Sequence, residues 1–152
     1  MPSPEFTEAM RLALDLAAKA SQQGDVPVGA VVLNAQGEVV GRGFNTREAD
    51  NDPMSHAEVV ALREAANATG SWRLDDHTLV VTLEPCTMCA GAAVQARIGR
   101  IVFGAFDEKA GAVGSLWDVV RDRRLPHRPE VVSGVLADEC GAILSEFFKN
   151  RR

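Results

Sequence analysis

The chain contains no tyrosine and only three cysteines and three histidines, and aromatic side chains make up 5% of its 152 residues. Three cysteines, two of them at Cys86-x-x-Cys89, are too few and odd in number for the disulfide framework of a secreted domain. In a reducing compartment such a pair means metal or redox chemistry. No run approaches the eighteen or so apolar residues of a membrane-spanning helix, and Met1-Pro2-Ser3-Pro4-Glu5 has neither the basic nor the apolar region of a signal peptide. The sequence therefore predicts a cytoplasmic protein. Positive charge is scarce too: 16 Lys and Arg against 21 Asp and Glu leave a formal charge of −5, which argues against indiscriminate attraction to a phosphate backbone.

The charge is unevenly spread. Residues 1–76 hold 6 Lys/Arg against 12 Asp/Glu, and residues 77–152 hold 10 against 9. Arg121, Arg123, Arg124 and Arg128 form one basic cluster, and Lys149, Arg151 and Arg152 another. A local surface for a few phosphates is compatible with the overall acidity; a solvated loop and a polar helix end fit the same runs. At this length residues 1–152 suit one domain, and roughly 70% of the unfolded surface can be buried, so metal is not needed to close the fold. A metal here should serve chemistry.

Hydrophobic periodicity places the elements. Ser3-Pro4 starts a helix, with Phe6, Met10, Ala13, Leu14 and Ala17 on one stripe and a stop near Gly24. Val28 to Leu33 and Glu38 to Val40 flank Gln36-Gly37 as a hairpin. A polar loop, Thr46 to Pro53, leads to a helix from Ser55 toward Gly70. Then come a buried strand (78–83), a helix (87–97), a strand (100–103), a short helix (116–120), a strand (130–135) and a last helix (138–150). Alternation after an initial hairpin predicts a three-layer α/β/α sandwich on a mixed, largely parallel sheet of about five strands.

Two short motifs carry chemistry. His56-Ala57-Glu58 opens one helix, and Pro85-Cys86-Thr87-Met88-Cys89 spans the entry to the next. One imidazole and two thiolates suit Zn²⁺, and three protein ligands leave the open position of a catalytic site, where bound water is acidified toward neutrality. Pro85 ends the strand, placing Cys86 at a helix N-terminus whose unpaired N–H groups favour thiolate. Glu58, two residues past His56, is placed to move protons without ligating metal. Taken singly, each motif has a plainer explanation. Ser55-x-x-Glu58 fits a capping box, Cys-x-x-Cys fits a thioredoxin-like dithiol, and His56 alone could be any histidine. The conjunction of the two motifs, both at helix starts, favours zinc. A fourth ligand would have to come from Cys140, His77 or His127. Cys140 sits among apolar residues as a buried hydrophobe, and the two histidines lie in polar stretches as solvated side chains.

The H-x-E and P-C-x-x-C pair is the signature of the zinc-dependent nucleoside and nucleobase deaminases. Nearly the whole chain resembles the bacterial tRNA-specific adenosine deaminases of the cytidine/deoxycytidylate deaminase superfamily. The matching runs are Val26–Val31, Gly43–Asn45, His56–Glu58, Thr82–Ala92, Arg97–Arg100, Gly111–Leu116 and Phe147–Arg152. The resemblance implies a cytidine deaminase-like fold and a homodimer with one zinc per subunit held by His56, Cys86 and Cys89. It implies conversion of the wobble adenosine of a tRNA anticodon to inosine, in an arginine tRNA with anticodon ACG. Zinc-activated hydroxide would attack C6 of the adenine, with Glu58 as proton shuttle. Asn45 and the Ala57 N–H would position sugar and base, Val28 would pack on the flipped base, and Asp107 and Phe148 would line the approach of the anticodon stem-loop. Phe148 also fits an apolar stripe with Leu144 and Phe147. Phe106 stands where many relatives carry a basic residue, exchanging an electrostatic contact for stacking or packing. A free nucleobase or nucleoside deaminase and a catalytically silent zinc module that binds RNA or a partner share these motifs and remain alternatives.

Overall fold

The computed structural model describes residues 3–151; Met1, Pro2 and Arg152, which enter the expectations for the start and the basic tail, lie outside them. Helix α1 (Pro4–Gln22) begins at the predicted Ser3-Pro4 and buries Phe6, Ala9, Met10, Ala13, Leu16, Ala17 and Ala20 along one stripe, with Leu14 half-buried at its edge. Strands β1 (Gly29–Leu33) and β2 (Val39–Phe44) form the hairpin. Strand β2 continues to Phe44 instead of ending at Val40, through two glycines whose low strand propensity hides it from a periodicity reading. Helix α2 (Ala57–Thr69) ends on left-handed Gly70. Then follow β3 (Thr78–Leu83), α3 (Thr87–Gln95), β4 (Arg100–Ala105), β5 (Glu130–Val132) and α4 (Ala137–Lys149).

The strand order is β2-β1-β3-β4-β5. Strand β1 is antiparallel to both neighbours, and β3, β4 and β5 are mutually parallel, so four of the five strands point one way. Alternate side chains feed two cores. Ala30, Val32, Leu79, Val81, Ile101 and Phe103 face α2 and α3, and Val31, Leu33, Val80 and Val102 face α1 and α4. The sandwich is three-layered, and β3, covered on both faces, is buried without a break from Thr78 to Thr82.

One contact fixes the helix that starts the site. A Cβ placed on Gly43 would lie 2.4 Å from the carbonyl oxygen of Ala57 and 2.7 Å from the amide nitrogen of Ala61. The first turn of α2 therefore rests directly on the β2 backbone. Gly43→Ala should destabilise the protein by about 1–3 kcal/mol through overpacking, and should weaken zinc binding because Ala57 follows His56. Thermal unfolding and zinc stoichiometry check this; wild-type values for both would contradict the packing.

Two expectations fail here. Residues 116–120 form bends around an isolated bridge, not a helix. Gly114 has φ +130°, the Leu116 N–H bonds the Gly111 carbonyl (3.0 Å), and Val113 bridges Asp118. The apolar spacing misleads because Val113 and Val120 are buried while Leu116 and Trp117 are more than half exposed. Strand β5 stops at Val132 because Gly134 turns the chain at φ +80°.

Candidate active site

The topology gathers the site at one edge of the sheet. Because β1 runs against its neighbours, Val28 at its start lies beside Asn45 after β2, Glu84 after β3 and Asp107 after β4; Gly29 pairs with Phe44, and Leu83 with Ala105. This is the edge beyond the carboxyl ends of the parallel strands, where α/β sheets hold ligands. Two helices start there. His56 precedes α2 in extended conformation and Cys86 does the same for α3. The expected helix start at Ser55 is two residues early, and the capping box does not form: the Ser55 hydroxyl pairs with that of Thr46 at 2.6 Å. Glu58 is not held by a cap.

His56, Cys86 and Cys89 bring one ligand atom each to within 4.8 Å of one another. Nδ1 of His56 is 3.6 Å from Sγ of Cys86 and 3.5 Å from Sγ of Cys89. Tetrahedral zinc with N and S bonds of about 2.05 and 2.3 Å separates such atoms by about 3.6 Å, so the donor set fits zinc without rearrangement. Cys140 is remote from this group, fully buried on the α4 side of the sheet against Gly104. His77 and His127 are not simply solvated: Nδ1 of His77 lies 2.8 Å from the Asp75 carbonyl, and Nε2 of His127 lies 2.6 Å from that of Ile98.

The electrostatics follow from this crowding. A hydrogen bond from the Cys89 thiol, aided by His56, pulls the Cys86 pKa down to about 4 against the opposing effect of burial. The same hydrogen bond, together with burial, pushes Cys89 far up. The Cys86 thiolate in turn raises His56. Glu58 is 4% exposed, and burial lifts its pKa to about 7, although the N–H of its own backbone opposes the shift. A carboxyl that titrates near neutrality both takes and returns protons.

Glu58 lines a cavity of about 160 Å³ together with His56, Cys86, Val28, Asn45, Ala57 and Asp107. This is below the roughly 300–1,000 Å³ of pockets for drug-sized ligands and suits one planar ring system. Phe148 lies outside it, in an adjoining groove with Phe106, Lys109 and Leu144; the two spaces share Val26, Leu83 and Asp107. Phe147 is buried and Phe148 is 49% exposed, so the helical stripe divides between core and groove.

Arg47, Glu84 and Ala110 also line the cavity; Arg47 and Ala110 carried no local signal, and Glu84 only that of a charge ending a buried strand. The side chain of Asn45 braces one wall, donating to the Val26 carbonyl (3.2 Å) and accepting from the Arg47 N–H (3.1 Å). Buried Asp25 accepts the N–H groups of Glu48 and Ala49 at 2.7 and 3.2 Å on the same wall. The basic cluster at 121–128 is not one patch. Arg121 pairs with Asp118 and Arg124 with Asp122, while Arg128 lies near the amino ends of β4 and β5, at the edge opposite the cavity.

A helix-borne His and Cys pair of motifs, closed over a small cavity with a buried carboxyl, defines the zinc-dependent deaminase class. Residues 4–105 match the family model for the cytidine and deoxycytidylate deaminase zinc-binding region. The chain is 48% identical to the tRNA-specific adenosine deaminase of Bacillus subtilis over 143 residues, covering 94% of this chain and 88% of that one. It is 50% identical to the tRNA-specific adenosine deaminase of Haemophilus influenzae over 149 residues, covering 97% and 86%. A solved structure from work on A-to-I editing by tRNA:A34 deaminases at the wobble position superposes with a TM-score of 0.85 at 42% identity, covering 91% of this chain and 99% of that one. The chain belongs to the tRNA-specific adenosine deaminase family of zinc-dependent hydrolases. Among the described residues no helix is long and apolar enough to cross a membrane.

Proposed function

We propose that this chain, as a single cytoplasmic deaminase domain acting in a homodimer, converts the wobble adenosine of a tRNA anticodon to inosine, with an arginine tRNA of anticodon ACG as substrate. The observation that carries this reading is the continuity of the small cavity with the Phe106–Phe148 groove. A free base would need only the cavity. An adenosine unstacked from a loop leaves its neighbours outside, where aromatic faces and the cations Lys109 and Lys149 meet bases and phosphates.

His56, Cys86 and Cys89 would hold zinc, which when bound supplies an acidified water as nucleophile near neutral pH. The chain's own residues do the rest. Glu58 would carry the two protons of that water in turn, the first to N1 of the adenine ring and the second to the departing amine, so that adenosine and water become inosine and ammonia. The Ala57 N–H, at the first position of α2, has no partner within the helix and donates a hydrogen bond to the base. Val28 covers one face of the ring, while Asn45, already bracing its wall, offers its remaining amide capacity to the sugar. Asp107 and Phe148 guide the strand on either side of the flipped nucleotide.

Zinc-loaded protein should form inosine in an ACG anticodon stem-loop, read by mass spectrometry, and leave free adenine, guanine, cytosine and cytidine unchanged; no product with the RNA would overturn the reading. Lys109→Ala combined with Lys149→Ala should raise KM and flatten the dependence of log KM on log salt by about 1.4, at about 0.7 per phosphate contact on a single strand, with kcat unchanged. An unaltered salt slope would remove these cations from the RNA path.

A further inference from the structure

Glu84 is a carboxylate at the end of a strand, 2% exposed, and the deamination chemistry does not use it. Charged groups are seldom buried to this degree without compensation. Its compensation comes from a single loop. Oε1 accepts the Asp107 N–H at 3.0 Å and the Ser115 hydroxyl; Oε2 accepts the N–H groups of Val113 and Ser115, each at 3.0 Å. The loop passes so close that a Cβ on Gly111 would lie 2.3 Å from the Glu84 carboxyl carbon and 2.5 Å from the Asp107 carbonyl oxygen. The Ala112 N–H is tied to the Pro85 carbonyl at 2.9 Å, next to a metal-site cysteine.

These bonds act on the cavity wall. Asp107 and Ala110 belong both to this loop and to the lining of the cavity, and Oδ1 of Asp107 accepts the N–H groups of Lys109 and Ala110 at 3.1 and 3.2 Å. Thus Glu84 fixes the Asp107 backbone while the Asp107 side chain fixes the next turn. The floor and wall of the pocket are joined through one carboxylate, because Glu84 continues β3 directly into Pro85-Cys86.

We propose that Glu84 is a positioning residue that sets substrate affinity: it holds the 107–115 loop against the metal-site strand so that Asp107 stands at the mouth of the cavity. The inference rests on the RNA reading above for its effect on KM, but the clamp itself is measurable without substrate. Glu84→Gln keeps the size of the side chain and turns an amide NH₂ toward N–H donors, so at least one of the loop's N–H bonds is lost, the Ser115 hydroxyl alone being able to accept instead. Gly111→Ala keeps the carboxylate and pushes the loop off it.

In zinc-loaded protein, hydrogen–deuterium exchange at the amides of Asp107, Val113 and Ser115 should accelerate at least about tenfold in both variants, while α2 and α3 keep their protection and zinc stays at one per chain. KM for the stem-loop should rise about tenfold in both, with kcat within about threefold of wild type. A double-mutant cycle with Asp107→Ala should be non-additive in KM, since Glu84 acts through that residue. Unchanged loop exchange overturns the clamp. Faster exchange with unchanged KM, or additivity in the cycle, overturns the positioning role and leaves Glu84 a determinant of stability alone. If wild type proves inactive on RNA while the exchange result holds, the substrate reading has failed and the clamp has not; binding of the stem-loop, measured by anisotropy, then replaces KM in deciding the positioning role.

Discussion

Glu58→Gln should lower turnover by about two to four orders of magnitude, the usual contribution of a positioned acid–base group, while zinc content stays at one per chain and KM changes little. The substitution preserves shape and hydrogen-bonding reach but removes the exchangeable proton. Glu58 is suited to that proton because burial brings its pKa to about 7 and because the residue is neither in the ligand set nor in a helix cap. Single-turnover deamination alongside metal analysis reads both quantities. Loss of zinc would instead make Glu58 a ligand, and retained turnover would pass the proton transfers to another group. Stability supplies a second readout in zinc-free protein. The folded-state pKa is raised from an ordinary value of 4.5 to about 7. The stability available with a neutral carboxyl is therefore fully present below about pH 4.5 and is lost as pH rises through about 7, by about 3 kcal/mol at about 1.4 kcal/mol per unit. Zinc-free Glu58→Gln should accordingly melt higher than zinc-free wild type at pH 8 and at the same temperature at pH 4.

The parts of the site that were legible in the sequence are those whose partners are close in the chain. His56 and Glu58 share one helical turn, as do Cys86 and Cys89, so each spacing carries its geometry, and Pro85 announces the change from strand to helix. That the two pairs meet follows from both helices starting at the same edge of one sheet, which the alternation of elements implies without naming the edge. Arg47, Glu84 and Asp25 were not legible, because they act through loops separated from them by folding. For Glu84 a faint signal existed: a charge ending an otherwise buried strand must find compensation. The same residue explains the misread segment at 116–120. Local spacing of Val113, Leu116 and Val120 imitates a helix, but the N–H groups of Val113 and Ser115 are taken by a carboxylate about thirty residues away, and no local pattern records such a partner. The divided basic cluster has a similar origin. Asp118 and Asp122 lie within reach of Arg121 and Arg124, and the chain then runs down the sheet to its other edge.

Removing zinc, or replacing Cys89 by Ala, should abolish deamination, with a loss of more than about three orders of magnitude, since the acidified nucleophile goes with the metal. The fold should survive. Its two cores are built from strands and helices whose burial owes nothing to the ligands, and only Cys89 of the three belongs to a core element's fully buried face. Far-ultraviolet circular dichroism of the chelated protein should match that of the loaded protein, with a lower Tm that zinc restores along with activity; at a free zinc concentration of about 1,000 Kd the gain is about 4 kcal/mol. Binding is also tied to protons. At neutral pH Cys86 is already thiolate, with its pKa drawn to about 4, whereas Cys89 is held protonated by its neighbour and must release its proton to ligate. His56, whose pKa is raised, releases a further fraction. Calorimetric titration in buffers of different ionisation enthalpy should count roughly one to two protons per zinc at pH 7, and affinity should fall as pH falls, because protons then compete more strongly with zinc for Cys89 and His56. Release of none would mean that both thiols are ionised before the metal arrives, and an unfolded chelated chain would make the zinc structural.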